Sequence, residues 1–124
     1  MDDTLEVSLG DGAQISVPSG QSVTLHDIIW NSAGPEGSVA RFRFVAPEIA
    51  RAGGSVTADQ VAQDLLHLCE NVVLGTLAER GALPPNVIVS IADRAVSFGE
   101  TVPDATQYFE SYRIDGDRCI SELF

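Results

Sequence analysis

Thr57-Ala-Asp-Gln-Val-Ala-Gln-Asp-Leu-Leu-His-Leu-Cys-Glu-Asn-Val-Val-Leu-Gly-Thr-Leu-Ala-Glu-Arg-Gly81 is the stretch whose reading decides the fold. Thr57 and Gln60 have the spacing of a capping box, in which the hydroxyl accepts from the third helical N–H and the amide side chain reaches back to the first. A helix therefore begins at Ala58 and runs to about Arg80, where Gly81 suits the left-handed position after a helix and Pro84-Pro85 block continuation. At ~100° per residue, Val61, Leu65, Leu68, Val72 and Gly75 form one apolar stripe, and Ala62, Leu66, Cys69 and Val73 form a second beside it. So broad an apolar arc predicts packing on a sheet, with Gln63, Asp64, His67, Glu70 and Asn71 facing water.

The flanking sequence supplies that sheet. Val39 to Ala46 alternates cleanly: Ala40, Phe42, Phe44 and Ala46 point one way, and Val39, Arg41, Arg43 and Val45 the other. This is a strand with an aromatic inner face and an arginine outer face. Val87 to Ile91 is apolar on both sides, as in a buried strand. Leu5 to Leu9 and Ile15 to Val17, separated by Gly10-Asp11-Gly12, read as a short hairpin. Pro18-Ser19-Gly20 makes a turn before Val23 to Trp30, whose β-branched and aromatic content favours a strand over a short helix capped at Thr24. Asn31 to Gly37 and Asp93 to Pro103 read as loops. Asp104-Ala-Thr-Gln107 offers a second capping box, which predicts a short helix near 105–112. The same residues alternate, so a hairpin turning at Asp115-Gly116 remains open. Cys119 to Phe124 ends the chain as a strand. The expected architecture is one α+β domain over 1–124, a mainly antiparallel sheet packed on one long helix.

The composition narrows the function classes. Among 124 residues there are 18 acidic and 7 basic side chains, for a net charge of −11. All basic residues are arginines, and attraction to nucleic acid or an anionic membrane is disfavoured because phosphate affinity comes from cationic side chains. No apolar run approaches the ~20 residues of a membrane-spanning helix. Met1-Asp2-Asp3-Thr4 lacks the positive flank of a secretory signal, which fits either a native start or a trimmed chain.

The candidate chemistry is sparse. Arg41 and Arg43 share a strand face, with His26 expected across from them on the preceding strand; guanidinium forks suit a carboxylate or phosphate. A polar outer face balancing an acidic protein is the competing reading. Cys69, on the apolar arc, has Cys119 as its sole intrachain partner for a disulfide, and the pairing requires an oxidising compartment. His67 and Cys69 differ by ~200° in direction on a helix and do not close on one metal ion; no metal or cofactor is expected. Asp115-Gly116-Asp117 with Glu122 lacks the ligand spacing of a calcium loop. Asp93-Arg94 reads as an ion pair closing a strand end, and Glu100 with Asp104 as carboxylates lacking a neighbouring base.

Several segments together carry a resemblance: Val17-Pro-Ser-Gly-Gln21, Ile29-Trp30, Arg41-Phe-Arg-Phe-Val-Ala-Pro47, Leu68-Cys-Glu70, Ser90-Ile-Ala-Asp-Arg94, Phe98-Gly99, Ala105-Thr-Gln-Tyr-Phe-Glu110 and Cys119-Ile-Ser-Glu-Leu-Phe124. They resemble a family of small alphaproteobacterial proteins, of marine Rhodobacterales type, whose function is unknown. Members often carry a secretory signal, which implies a periplasmic protein if such a signal has been removed; otherwise a cytoplasmic one is expected. Some relatives are labelled acetolactate synthase, but this chain has no thiamine-diphosphate motif and is several times shorter than that enzyme's catalytic subunit. The resemblance implies no activity and no site residues.

Two function readings follow. One is a non-catalytic accessory or binding protein that takes a protein partner or small ligand, with Trp30 or Tyr108 as the expected interface. The other is an anion-binding enzyme or regulatory domain using Arg41, Arg43, His26 or Asp93-Arg94. A pocket on which those polar groups converge favours the second; a flat apolar patch over a closed core favours the first.

Overall fold

The computed structural model describes residues 6–34, 37–49, 56–81, 84, 86–97, 100 and 102–122. The strands are β1 (Glu6–Leu9), β2 (Gln14–Ile15), β3 (Val23–Gly34), β4 (Gly37–Val45), β5 (Asn86–Ala92), β6 (Gln107–Asp115) and β7 (Arg118–Glu122). They form one seven-stranded sheet in the order β1-β3-β4-β5-β6-β7, with β2 also paired to β3. Every pairing is antiparallel except β4 with β5. Parallel neighbours need a long crossover, and the helix between β4 and β5 supplies it. The result is α+β, as the sequence predicts.

The helix begins at α1 (Ala58–Leu68), passes through a π turn (Cys69–Val73) and continues as α2 (Leu74–Arg80). The capping box forms at Thr57 and Gln60. At the other end Gly81 adopts φ 75° and its N–H donates to the Leu77 carbonyl at 2.9 Å. Val61, Leu65, Leu68, Cys69, Val73 and Leu77 pack into one core with Phe42, Phe44, Val87, Val89 and Ile91. The π turn inserts an extra residue, which re-aims everything after it. Consequently Val72 is only half-buried and Gly75 is exposed, where an uninterrupted α period places both in the stripe. The second stripe is also narrower than expected, because Ala62 and Leu66 face solvent.

Asp64 departs furthest from the expected wet arc. It is completely buried and accepts hydrogen bonds from the Ser19 N–H at 3.0 Å, the Ser19 hydroxyl at 2.5 Å and the Gln21 amide at 2.7 Å. A buried carboxylate persists only when such donors replace water. Asp64 thus ties the Pro18-Ser19-Gly20 turn to the helix.

Three local expectations are corrected. The segments β1 and β2 do not form a hairpin with each other; both pair with β3, as successive pieces of one edge. Gly10 explains this, since its N–H donates to the His26 carbonyl at 2.9 Å and a Cβ there would meet the Leu25 carbonyl oxygen at 1.8 Å. The backbone is held flat against β3 instead of turning back. Residues 31–34 continue β3, and Gly34 pairs with Gly37, so the expected loop is largely strand. Residues 107–112 belong to β6, not to a short helix near 105–112. A helix there would leave one side of β5 without hydrogen-bond partners, whereas β6 pairs with all seven β5 residues. The open alternative, a hairpin at Asp115-Gly116, is the one adopted, with Gly116 at φ 64°.

The C-terminal strand runs Arg118–Glu122, and Leu123 and Phe124 lie outside the described residues. Cys119 is joined to Cys69 by a disulfide, with the Cα atoms 6.3 Å apart. Beside it, a Glu70 carboxylate oxygen accepts from the Cys119 N–H at 3.0 Å and pairs with Arg118 at 3.3 Å. The final hairpin is therefore fastened to the π turn both covalently and by hydrogen bonds. Among the described residues, no helix is long and apolar enough to cross a membrane.

Candidate functional site

The face of the sheet away from the helix carries the polar chemistry. Strand alternation puts Arg41 and Arg43 there, one residue out of phase with the buried Phe42 and Phe44. Registers across the strands extend this into rows. One row reads Asp27, Arg43, Ser90, Phe109 across β3, β4, β5 and β6. The next toward the end of β5 reads Val45, Ala92, Gln107, and the row on the other side reads Ile29, Arg41, Ile88, Ser111. On β5 the small side chains of Ser90 and Ala92 stand between larger ones on β4 and β6. That dip is the floor of a groove of about 260 Å³.

All three sequence-identified ligand candidates line this groove: Arg41, Arg43 and His26. His26 reaches it because the β3–β4 register shifts between Leu25 and Asp27, leaving His26 without a direct partner on β4. Arg43 is oriented by Asp27, whose two carboxylate oxygens accept from Nε and Nη2 at 2.6 Å each. This bidentate pair is largely buried, with side-chain exposures of 14% and 8%. The sequence signal for Asp27 is weak: an acid directly before Ile28, Ile29 and Trp30, on a strand that neighbours an arginine strand. Burial, and then the positive charge of Arg43 alongside, push the Arg41 guanidinium below its usual range. An anion near Arg41 would offset the repulsion from Arg43 and favour the charged guanidinium.

Arg94 also lines the groove, in the segment following β5. It donates to both oxygens of the buried Asp93 at 3.1 and 3.3 Å and to the Asp104 carbonyl at 3.3 Å. The hydrogen bond and charge of Asp93 hold Arg94 firmly protonated. The expected strand-end ion pair thus exists and also braces the groove wall. The Asp93 N–H donates to the Thr106 carbonyl at 3.0 Å, which draws the two ends of the connecting segment together. Glu100 borders the groove; Asp104 contributes its backbone carbonyl to Arg94.

Other candidates sit elsewhere. Trp30 is not an exposed interface: it is 5% exposed, packs edge-on against Phe42 and lies beneath the Arg80 guanidinium at 4.0 Å. Its indole N–H donates to Ser8 Oγ at 2.9 Å. Tyr108 is half-buried, whereas the next residue, Phe109, is 72% exposed at the groove. The sequence does not mark Phe109 as a site residue, because Tyr108, Phe109 and Tyr112 fit helical spacing as well as strand alternation. Asp115 ends β6 and Asp117 lies in the β6–β7 turn. Among the described residues, no group of three His, Cys, Asp or Glu side chains is placed to hold a metal ion.

These features define a class: an α+β protein with a helix closing one side of a mainly antiparallel sheet and an arginine-walled groove on the other. The chain belongs to a family of unknown function (DUF6497), whose family model matches residues 4–124. No match is found among curated proteins or among solved structures.

Proposed function

We propose the second reading, in which the chain binds a small anion, a carboxylate or phosphate, in the groove over Ser90 and Ala92. One observation carries the reading: three of the seven basic residues, Arg41, Arg43 and Arg94, converge with His26 on a single groove in a chain of net charge −11. Asp27 and Asp93 orient two of those guanidinium groups before any ligand arrives, which reduces the ordering cost of binding. The volume lies just below the ~300–1,000 Å³ typical of pockets for drug-sized ligands, so a metabolite-sized anion fits.

A periplasmic location is part of the proposal. The Cys69–Cys119 disulfide supports it, because such bonds persist in oxidising compartments. Calorimetric titration of the chain with acetate, benzoate and inorganic phosphate tests the binding reading: at least one anion binds the native chain, and Arg41→Gln weakens it about tenfold or more, as expected for a charged hydrogen bond. Binding that is unchanged by Arg41→Gln would refute it. Thiol alkylation under denaturing conditions of the protein purified from its own cells, with and without prior reduction, tests the compartment: two reactive thiols before reduction would argue against the periplasm.

A further inference from the structure

The two walls of the groove differ in chemistry. Arg41 and Arg43 stand on β4, while the exposed Phe109 stands on β6. Arg43, Ser90 and Phe109 are direct cross-strand partners, so the guanidinium and the ring rise from backbones two strand spacings apart, about 10 Å. Between them the floor is a single small hydroxyl side chain. A ligand lying across the strands therefore meets cations at one end and an open aromatic surface at the other.

Phe109 is 72% exposed where β6 offers every other outward position to a polar residue: Gln107, Ser111 and Arg113 share its face. An aromatic ring at that place gains free energy by stacking on a flat apolar partner. Phosphate or a small aliphatic acid satisfies the arginine wall and leaves the ring in water. A ring bearing one carboxylate satisfies both walls across the available span.

We infer that the groove takes a small aromatic monocarboxylate, with its carboxylate at the Arg41 and Arg43 wall, its ring against Phe109 and its body over Ser90. This inference rests on the anion-binding reading above and adds the ligand class. Ser90 sets the depth of the groove, and Phe109 supplies the preference for a flat ring.

The test is calorimetric titration of the whole chain with benzoate, acetate and inorganic phosphate, on the native protein and on Phe109→Ala, Ser90→Val and Arg41→Gln. Benzoate binds the native chain about tenfold or more tighter than acetate or phosphate, the scale of one aromatic stack. Phe109→Ala removes most of that advantage and leaves acetate unchanged; the variant folds because the ring is exposed. Ser90→Val, which fills the floor, weakens benzoate more than acetate. Acetate or phosphate binding as tightly as benzoate, or an advantage that survives Phe109→Ala, would overturn the ligand class while leaving the anion site standing. Failure of all three anions to bind, or binding indifferent to Arg41→Gln, would overturn the anion site itself and the inference with it.

Discussion

On the helix side of the sheet, Phe42, Phe44, Val87, Val89 and Ile91 are each at most 1% exposed, and they meet an equally apolar helix face. One residue along the same strands, on the other side, Arg41, Arg43 and Ser90 keep partial exposure and border a groove. The same backbone thus carries two environments. The helix side is closed by packing, a disulfide and the Asp64 hydrogen bonds. The groove side is organised by ion pairs, Asp27 with Arg43 and Asp93 with Arg94. Burial accounts for the first and orientation of charge for the second, so substitutions on the two faces should fail in different ways.

The largest effect is expected on the helix side. Phe42→Ala removes a fully buried ring in contact with Trp30 and should cost about 3–5 kcal/mol, read as a lowered denaturant midpoint. Of nearly the same size is loss of the disulfide. Cys69 and Cys119 are 50 residues apart in sequence, and opening that loop through Cys69→Ser with Cys119→Ser should cost about 4 kcal/mol on the chain-entropy account. Both variants should keep anion affinity at temperatures where they remain folded. An affinity that falls with either would break the division between the faces.

Asp27→Asn comes next, because it separates orientation from burial on the groove side. It leaves Arg43 without its bidentate partner, and about 3 kcal/mol of stability should go with it. Arg41→Gln removes a guanidinium whose charge is already penalised by burial and by Arg43. Its expected signature is a fall in anion affinity of about tenfold or more. A chain still binding with native affinity after Arg41→Gln would reverse the account of that residue.

The smallest effect concerns Tyr112, on the helix side. Burial, and then the negative charges of Glu110 and Glu70, push its phenol above the usual range. The folded chain therefore keeps the proton at a pH where the unfolded chain releases it. That contribution to stability is intact below about pH 10 and declines as pH rises beyond it. Tyr112→Phe should flatten the alkaline limb of the stability profile; an unchanged limb would show that Tyr112 does not govern it.

Much of the helix side was legible in the sequence because its signals are local. The Thr57–Gln60 box and Gly81 mark both ends of the helix, and the Val39 to Ala46 alternation assigns every inner residue correctly. What escaped depends on contacts distant in sequence. Asp64 looks solvated until the Ser19 and Gln21 donors, over 40 residues away, are brought to it. The π turn leaves no local mark, since Cys69 to Val73 reads as ordinary helix. Gln107 to Tyr112 satisfies helical and strand periods alike, and only the exposed side of β5 decides between them. On the groove side, Arg41, Arg43 and His26 were identified from alternation and charge. Ser90 and Phe109 were not, because their place across from Arg43 is a matter of register, which the sequence does not display.

The most direct test of the division is an amide NMR titration of the isotopically labelled chain with benzoate. The account predicts saturable shifts concentrated at Arg41, Arg43, Ser90, Ala92, Gln107 and Phe109, with residues 58–80 of the helix little changed. Shifts centred on the helix, or no saturable shifts on β4 to β6 at millimolar benzoate, would contradict it.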